Sequence, residues 1–176
     1  MAEPDPVKLC VGVLYSDQGK LNQARGKMES LYGQTDYQSE TFPFTVTDYY
    51  QEEMGEKIYR LFLSFPSLIS PGEIARIKLE TNGIEEELTF RGKRRVNLDP
   101  GYMDYNKVVL ASNKYNGQKI YLNSGIYADL TLYYEKGRFH PYPWSFPDFK
   151  SGQYNATFLR IRELYKAQRR GNSVDW

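Results

Sequence analysis

The sequence predicts an α+β fold: a mostly antiparallel sheet with about three helices, on a pattern compatible with a ferredoxin-like core extended by extra strands. Three observations carry this expectation. Over the first two-thirds of the chain the hydrophobic periodicity reads strand, helix, strand, strand, helix, strand. Further short segments of strand character follow, with turn residues between them. A last amphipathic stretch with a basic end closes the chain. At 176 residues, the sequence has the size of one compact domain, residues 1–176, long enough to enclose a hydrophobic core.

The elements follow in order. Residues 7–15 are aliphatic and β-branched and read as a buried first strand. Residues 19–32 place Leu21, Ala24, Met28, Leu31 and Tyr32 at helical spacing, with Gly33 as the stop. Residues 36–50 alternate polar and aromatic side chains and read as one or two strands, and residues 57–65 as another. Ser70-Pro71-Gly72-Glu73 combines an N-cap serine, a proline at the first helical position and a glutamate at the third. Behind it Ile74, Ile77, Thr81, Ile84 and Leu88 keep helical spacing, so the helix is expected to continue to about Leu88 through Asn82-Gly83. Residues 94–98, 107–112, 118–123 and 127–134 read as strands, with Asn116-Gly117 as a hairpin turn and Asp99-Pro100-Gly101 as turn chemistry. A proline-aromatic loop over 137–149 precedes a final helix over 153–169.

Composition narrows the function classes. Hydrophobic residues make up 40% and charged residues 26%, a globular balance, and the net charge is +1. Near-neutrality argues against coating duplex nucleic acid or an anionic membrane, both of which need a large positive field. Cys10 is the one cysteine and sits in an apolar run, which predicts a buried residue in a reducing compartment. The start of the chain is acidic and proline-rich, unlike a secretory signal, and no apolar run is long enough to span a membrane, so a cytoplasmic protein is expected. With His140 as its one histidine, the sequence offers no histidine-pair or zinc-knuckle metal site, and it specifies neither a reaction nor a cofactor.

Three stretches share a pattern: 94–102, reading Arg-Arg-Val-Asn-Leu-Asp-Pro-Gly-Tyr; 125–132, reading Gly-Ile-Tyr-Ala-Asp-Leu-Thr-Leu; and 143–149, reading Pro-Trp-Ser-Phe-Pro-Asp-Phe. Together they resemble the signature segments of a prokaryotic family described as domain of unknown function 4416. Its members have similar length, and the resemblance implies no established activity. Some members carry the description "GTP-binding protein", and the residues test that implication. A phosphate loop needs Gly, four residues, then Gly-Lys-Ser/Thr. Here six residues separate Gly12 from Gly19-Lys20, and Leu21 takes the hydroxyl position. Asn113-Lys114-Tyr115-Asn116 resembles the guanine-reading Asn-Lys-x-Asp with asparagine in place of aspartate, and Asp99-Pro100-Gly101 is one residue short of Asp-x-x-Gly. All three motifs lack a functional residue, so GTP binding ranks last among the readings.

The best functional candidate is the segment around 91–102. On an extended strand Arg95, Asn97 and Asp99 share one face and Arg94, Val96 and Leu98 the other. A guanidinium, an amide and a carboxylate on one strand face either line a pocket or are solvated. With Lys114 as an added cation and Asp129 as an added acid, they point to a site for a small anionic ligand, a nucleotide or phosphorylated metabolite. The alternative is a non-catalytic protein- or RNA-interaction module that uses the aromatic loop, although that loop reads more simply as a rigid lid with its rings inserted into the core. Glu85-Glu86-Glu87 reads as a solvated helix face.

Overall fold

A computed structural model describes residues 1–55 and 57–171. The described strands form one nine-stranded antiparallel sheet. β1 (Val7–Tyr15) leads into α1 (Gln18–Tyr32), then the short β2 (Tyr37–Gln38) and β3 (Phe42–Pro43), the single-turn α2 (Gln51–Met54) and β4 (Tyr59–Ile69). A 3-10 turn (Pro71–Glu73) opens α3 (Ile74–Glu87), followed by β5 (Val96–Met103), β6 (Lys107–Ser112), β7 (Ile120–Asn123), β8 (Ile126–Glu135) and β9 (Arg138–Pro141). The single-turn α4 (Pro147–Lys150) and the long α5 (Asn155–Gly171) complete the order. The sheet runs β2-β4-β1-β5-β6-β8-β7, with β3 on β4 and β9 on β8. Within it, β1-α1-β2-β4-α3-β5 arranged as β2-β4-β1-β5 is a ferredoxin-like core, and β6 to β9 extend its β5 edge.

Local sequence explains the boundaries. Asp17 caps α1 by accepting the Lys20 N–H at 2.9 Å, and Gly33 ends the helix at φ +91°. Before α3 the Glu73 carboxylate accepts the Ser70 N–H at 2.8 Å, the glutamate half of the expected capping box. The helix continues through Asn82-Gly83 to Glu87. Apolar faces of α1 and α3 (Leu21, Ala24, Met28, Ile74, Ile77, Ile84) cover one side of the sheet against Leu9, Val11, Val13, Leu61 and Leu63. On the other side α4, α5 and the turn between them bring Phe149, Tyr154, Phe158 and Ile161 against Cys10, Phe62, Met103 and Leu132. β1 is therefore buried along its whole length. Among the described residues no helix is long and apolar enough to cross a membrane.

Several expectations need correction. Asp99-Pro100-Gly101 is not a turn: β5 runs on to Met103 and the chain turns at Asp104, whose Oδ1 accepts the Asn106 and Lys107 N–H groups. Pro100 is tolerated because β5 has no β6 neighbour there; the β6 ladder starts at Gly101. A Cβ on Gly101 would lie 2.4 Å from the Val109 carbonyl oxygen, so glycine is required for the two strands to meet. Asn116-Gly117 does not join neighbours, since β8 lies between β6 and β7. The turns of the β7–β8 and β8–β9 hairpins are Ser124-Gly125 and Lys136-Gly137, with positive φ at both residues as type I′ geometry demands. Residues 36–50 yield only the two-residue strands β2 and β3.

The feature that places the site is a fork. β5 pairs with β1 along its full length but with β6 only from Gly101 to Met103. β6 diverges with β8, and the β6-side edge of 96–100 is left open. Two glycines test this architecture. Gly101→Ala should lower stability by about 3 kcal/mol, because its methyl group would meet backbone at the neck of the fork. Gly83→Ala, in the middle of α3 with nothing within 4 Å of the added carbon, should raise it by about 0.5–1 kcal/mol. Denaturant melts of both variants check the pair; equal effects would contradict the assigned strand contact.

Candidate functional site

The open fork is filled from α3. Glu85 Oε1 accepts the Leu98 N–H at 2.6 Å and Lys78 Nζ donates to the Leu98 carbonyl at 3.0 Å. Two ionic side chains thereby satisfy the backbone groups that a neighbouring strand would otherwise take. Glu85 is therefore buried, and only Glu86 and Glu87 of the acidic run are exposed, contrary to the expected solvated face. Position explains it: Lys78 and Glu85 lie four and eleven residues after Ile74, on the face of α3 that meets the sheet.

Above this brace lies a cavity of about 400 Å³, lined by β5, β6, β8, α3 and the loops before β4 and α4. Its floor is a network of paired charges. Arg60 Nη1 approaches Asp99 Oδ2 at 3.3 Å and Arg60 Nε approaches Asp148 Oδ2 at 3.8 Å. The guanidinium reaches Asp99 by crossing β1 at Gly12, where a Cβ would lie 2.9 Å from Arg60 Nη1. It also lies 5.4 Å from the ring centroid of Phe44 and 5.7 Å from that of Phe62. Lys78 Nζ stands 3.8 Å from Asp99 Oδ1, and Asn97 donates to Asp99 at 3.0 Å. Arg94 donates to Asn97 at 2.8 Å, to both oxygens of Glu53 at 2.8 and 3.0 Å, and to Glu85 at 3.2 Å.

At the mouth the pattern changes. Lys114 Nζ donates to the Tyr49 hydroxyl at 2.8 Å and has no carboxylate within 4 Å among the described residues. Lys119 Nζ donates to Ser112 Oγ at 3.0 Å and to the Lys114 carbonyl at 3.2 Å, with Asp129 Oδ2 at 3.8 Å. The other Asp129 oxygen, Oδ1, is buried with no hydrogen-bond partner in the structure. Tyr49 and Phe146 flank this end with exposed rings.

The electrostatics follow the geometry. Burial alone would raise the Asp99 carboxyl, but Lys78 and Arg60, with hydrogen bonds from Arg60 and Asn97, outweigh it and hold the group below the ordinary carboxylate value. Burial pushes Glu85 up despite the Leu98 N–H, Lys78 and Arg94. Asp129 is also raised by burial, which Lys119 only partly offsets. Tyr50 beside the floor is pushed up to about 12, by burial first and then by the Asp99 charge. The two cavity carboxylates are thus shifted in opposite directions, Asp99 downward by its cations and Asp129 upward by burial. Among the described residues no three His, Cys, Asp or Glu side chains cluster as a metal-binding group.

Of the residues singled out from sequence, Asn97, Asp99, Lys114 and Asp129 line this cavity together, and Arg95 does not. The strand begins at Val96, so the alternation that placed Arg95 beside Asn97 fails across the bend at Arg95, and Arg94 takes the position instead. Arg60, Lys78, Glu85, Lys119 and Asp148 were missed. A signal existed for two of them: Arg60 interrupts an apolar strand and Lys78 an apolar helix face. Asp148 is buried and accepts the Tyr154 hydroxyl at 2.8 Å beside Arg60. In the proline-aromatic loop Phe139 and Phe149 enter the core, while Trp144 donates to the Leu130 carbonyl at 2.7 Å and stacks on Tyr142.

Asp99 neutralises two cations at once, so Asp99→Asn should cost on the order of 3 kcal/mol at neutral pH, as breaking a buried ion pair does. Because the folded-state value of Asp99 is depressed, its contribution is present above the ordinary carboxylate range and is lost as pH falls through the lower, folded value. The difference between wild type and variant should therefore be largest near neutrality and shrink in acid. A pH series of denaturant melts measures it, and a constant difference down to strong acid would remove Asp99 from this role.

No curated protein and no solved structure matches the chain significantly. A family model does, over residues 5–165, and it includes all the cavity-lining residues discussed above and both faces of the sheet. On that match, the protein belongs to the family described as Domain of unknown function (DUF4416).

Proposed function

We propose that the cavity at the fork binds a small ligand carrying an anionic group, a nucleotide or phosphorylated metabolite, with the anion at Lys114 and Lys119. The observation that carries this reading is the contrast between floor and mouth. Arg60, Lys78 and Arg94 already face carboxylates, whereas Lys114 is held by the neutral Tyr49 hydroxyl, and beside it Lys119 donates to two neutral oxygens and shares only the Asp129 carboxylate at 3.8 Å. An incoming anion therefore meets Lys114 without displacing any carboxylate, with Lys119 as a second cation beside it. A volume of about 400 Å³ suits a small metabolite. The exposed rings of Tyr49 and Phe146 offer apolar contact for the rest of the ligand, and the unpartnered Asp129 oxygen offers an acceptor for a hydroxyl or amine. The buried Cys10 fits the reducing, cytoplasmic setting in which such ligands are abundant.

GTP belongs to the ligand class but has no privileged place in it. Gly12 is in mid-strand under Arg60, and only Ser16 and Asp17 separate β1 from α1, which leaves no loop to wrap a phosphate there. An interaction module is supported by the partly exposed Trp144 and Phe146. It predicts binding of single-stranded RNA or peptide that is insensitive to the two lysines.

The test is a thermal-shift screen with phosphate, pyrophosphate, sugar phosphates, ATP and GTP. At least one should stabilise the protein, by about 2.7 kcal/mol at a hundredfold excess over its dissociation constant. Lys114→Ala, alone and combined with Lys119→Met, should abolish most of that shift; Lys114 is exposed, so its substitution should leave the melting of the free protein within about 0.5 kcal/mol, whereas losing Lys119 also removes the cation beside Asp129. A shift that survives both substitutions, or a response to RNA alone, counts against the reading.

A further inference from the structure

We propose that β7 pairs edge to edge with β7 of a second copy of this chain, forming a two-fold dimer. The other outlying strands of the sheet are blunted. β2 is two residues long, β3 ends on Pro43, and β9 starts with Arg138 and ends on Pro141. Such devices keep sheet edges from pairing with other chains. β7 carries neither proline nor charge, and its one irregularity is a register shift against β8 between Tyr121 and Asn123. All four residues of its Ile-Tyr-Leu-Asn sequence are exposed, and among the described residues it pairs only with β8. Its outer row of N–H and C=O groups is thus available along an uncharged segment.

The side chains match the backbone. Ile120 is 62% exposed, Tyr121 58%, Leu122 37% and the neighbouring Tyr115 73%. Tyr115 and Tyr121 both pack on Tyr127, at centroid distances of 5.8 and 5.3 Å, so the patch is a built aromatic surface. At these exposures the four side chains present on the order of 500 Å² per copy, so two copies reach the ~1,000 Å² of a specific interface only when the pair covers most of that surface, the size of a weak dimer that dissociates on dilution. A second copy is the occupant that suits this edge best. Antiparallel pairing of a strand with itself satisfies both backbones across one two-fold axis, and an uncharged strand places no like charges opposite each other.

The experiment is sedimentation of the full chain over a dilution series in the micromolar range. The expected result is twice the monomer mass, dissociating on dilution. Ile120→Lys with Leu122→Lys should weaken the dimer by about 100-fold with an unchanged circular dichroism spectrum, restoring the charged edge that other strands use. A Leu122→Cys variant gives an independent reading should the double variant fold poorly. Cys10 is buried, which pushes its thiol up to about 12 and leaves it unreactive, so a disulfide-linked dimer under mild oxidation reports the β7 contact alone. Monomer at every concentration would overturn the proposal and leave β7 for an extended segment of another protein. So would a dimer that neither weakens with the lysines nor crosslinks through position 122.

Discussion

The structure depends on how one peptide group is satisfied. At Leu98 the sheet has a strand on one side and an opening on the other, and a buried peptide facing an opening costs a few kcal/mol if it finds no partner. Glu85 and Lys78, two helical turns apart on α3, supply that partner from beneath the sheet. The solution has a consequence. A strand neighbour would bring a neutral backbone, whereas α3 brings a carboxylate and an ammonium, each of which then needs its own counter-charge. Arg94 answers Glu85, and Asp99 answers Lys78. The charged lining of the cavity is thus rooted in the decision of β6 to leave β5 after three residues of pairing.

The same logic reaches across β1. Asp99 takes a second cation from β4 because Gly12 leaves room for the Arg60 guanidinium to pass over the central strand. Arg60 in turn holds Asp148 close to α5, so both layers of helices are tied to one ionic floor. Arginine suits this position better than lysine: it stays charged when buried, and its planar head fits between the rings of Phe44 and Phe62. Charges buried in this way are weak evidence for stability, since apolar replacements often pack as well. Their presence around a cavity, rather than in a closed core, is what makes a functional reading of them reasonable.

Periodicity made the scaffold legible. The ferredoxin-like core followed from the helix spacing behind Asp17 and Ser70 and from the apolar run of β1, all of them local patterns. The fork was not legible, because Pro100-Gly101 inside a strand has the same sequence as a turn. What decides it is the close approach of Val109 to Gly101, a contact between residues whose pairing no local signal announces. Four of the five residues picked from sequence share the cavity, and three of them, Asn97, Asp99 and Asp129, do so for a simple reason: polar side chains in strand-like segments are rare unless they face something polar. Arg95 escaped that rule because alternation holds only inside a strand, and it stands one residue outside. Glu85 escaped it because an acidic run on a helix is usually solvated, and only the phase of α3 against Ile74 distinguishes the first glutamate from the two after it.

The fork also divides the cavity into parts of different mechanical character. The floor rests on β1, β4 and β5, where each charged group is held by at least one partner on a different element and the strands are buried on both faces. The mouth rests on 112–119, a connection between strands that are not neighbours, where Lys114 and Lys119 hold each other in place through Ser112 and a single backbone carbonyl. Lys114, held by a neutral hydroxyl in an exposed connection, can exchange that partner at small cost, while groups in a closed ionic network cannot. The arrangement therefore joins a preorganised floor to an adaptable rim. In that division, the floor residues that maintain the shape of the cavity differ from Lys114, which meets what enters it and can be substituted without disturbing the fold that holds it, while Lys119, paired with Asp129, belongs to both.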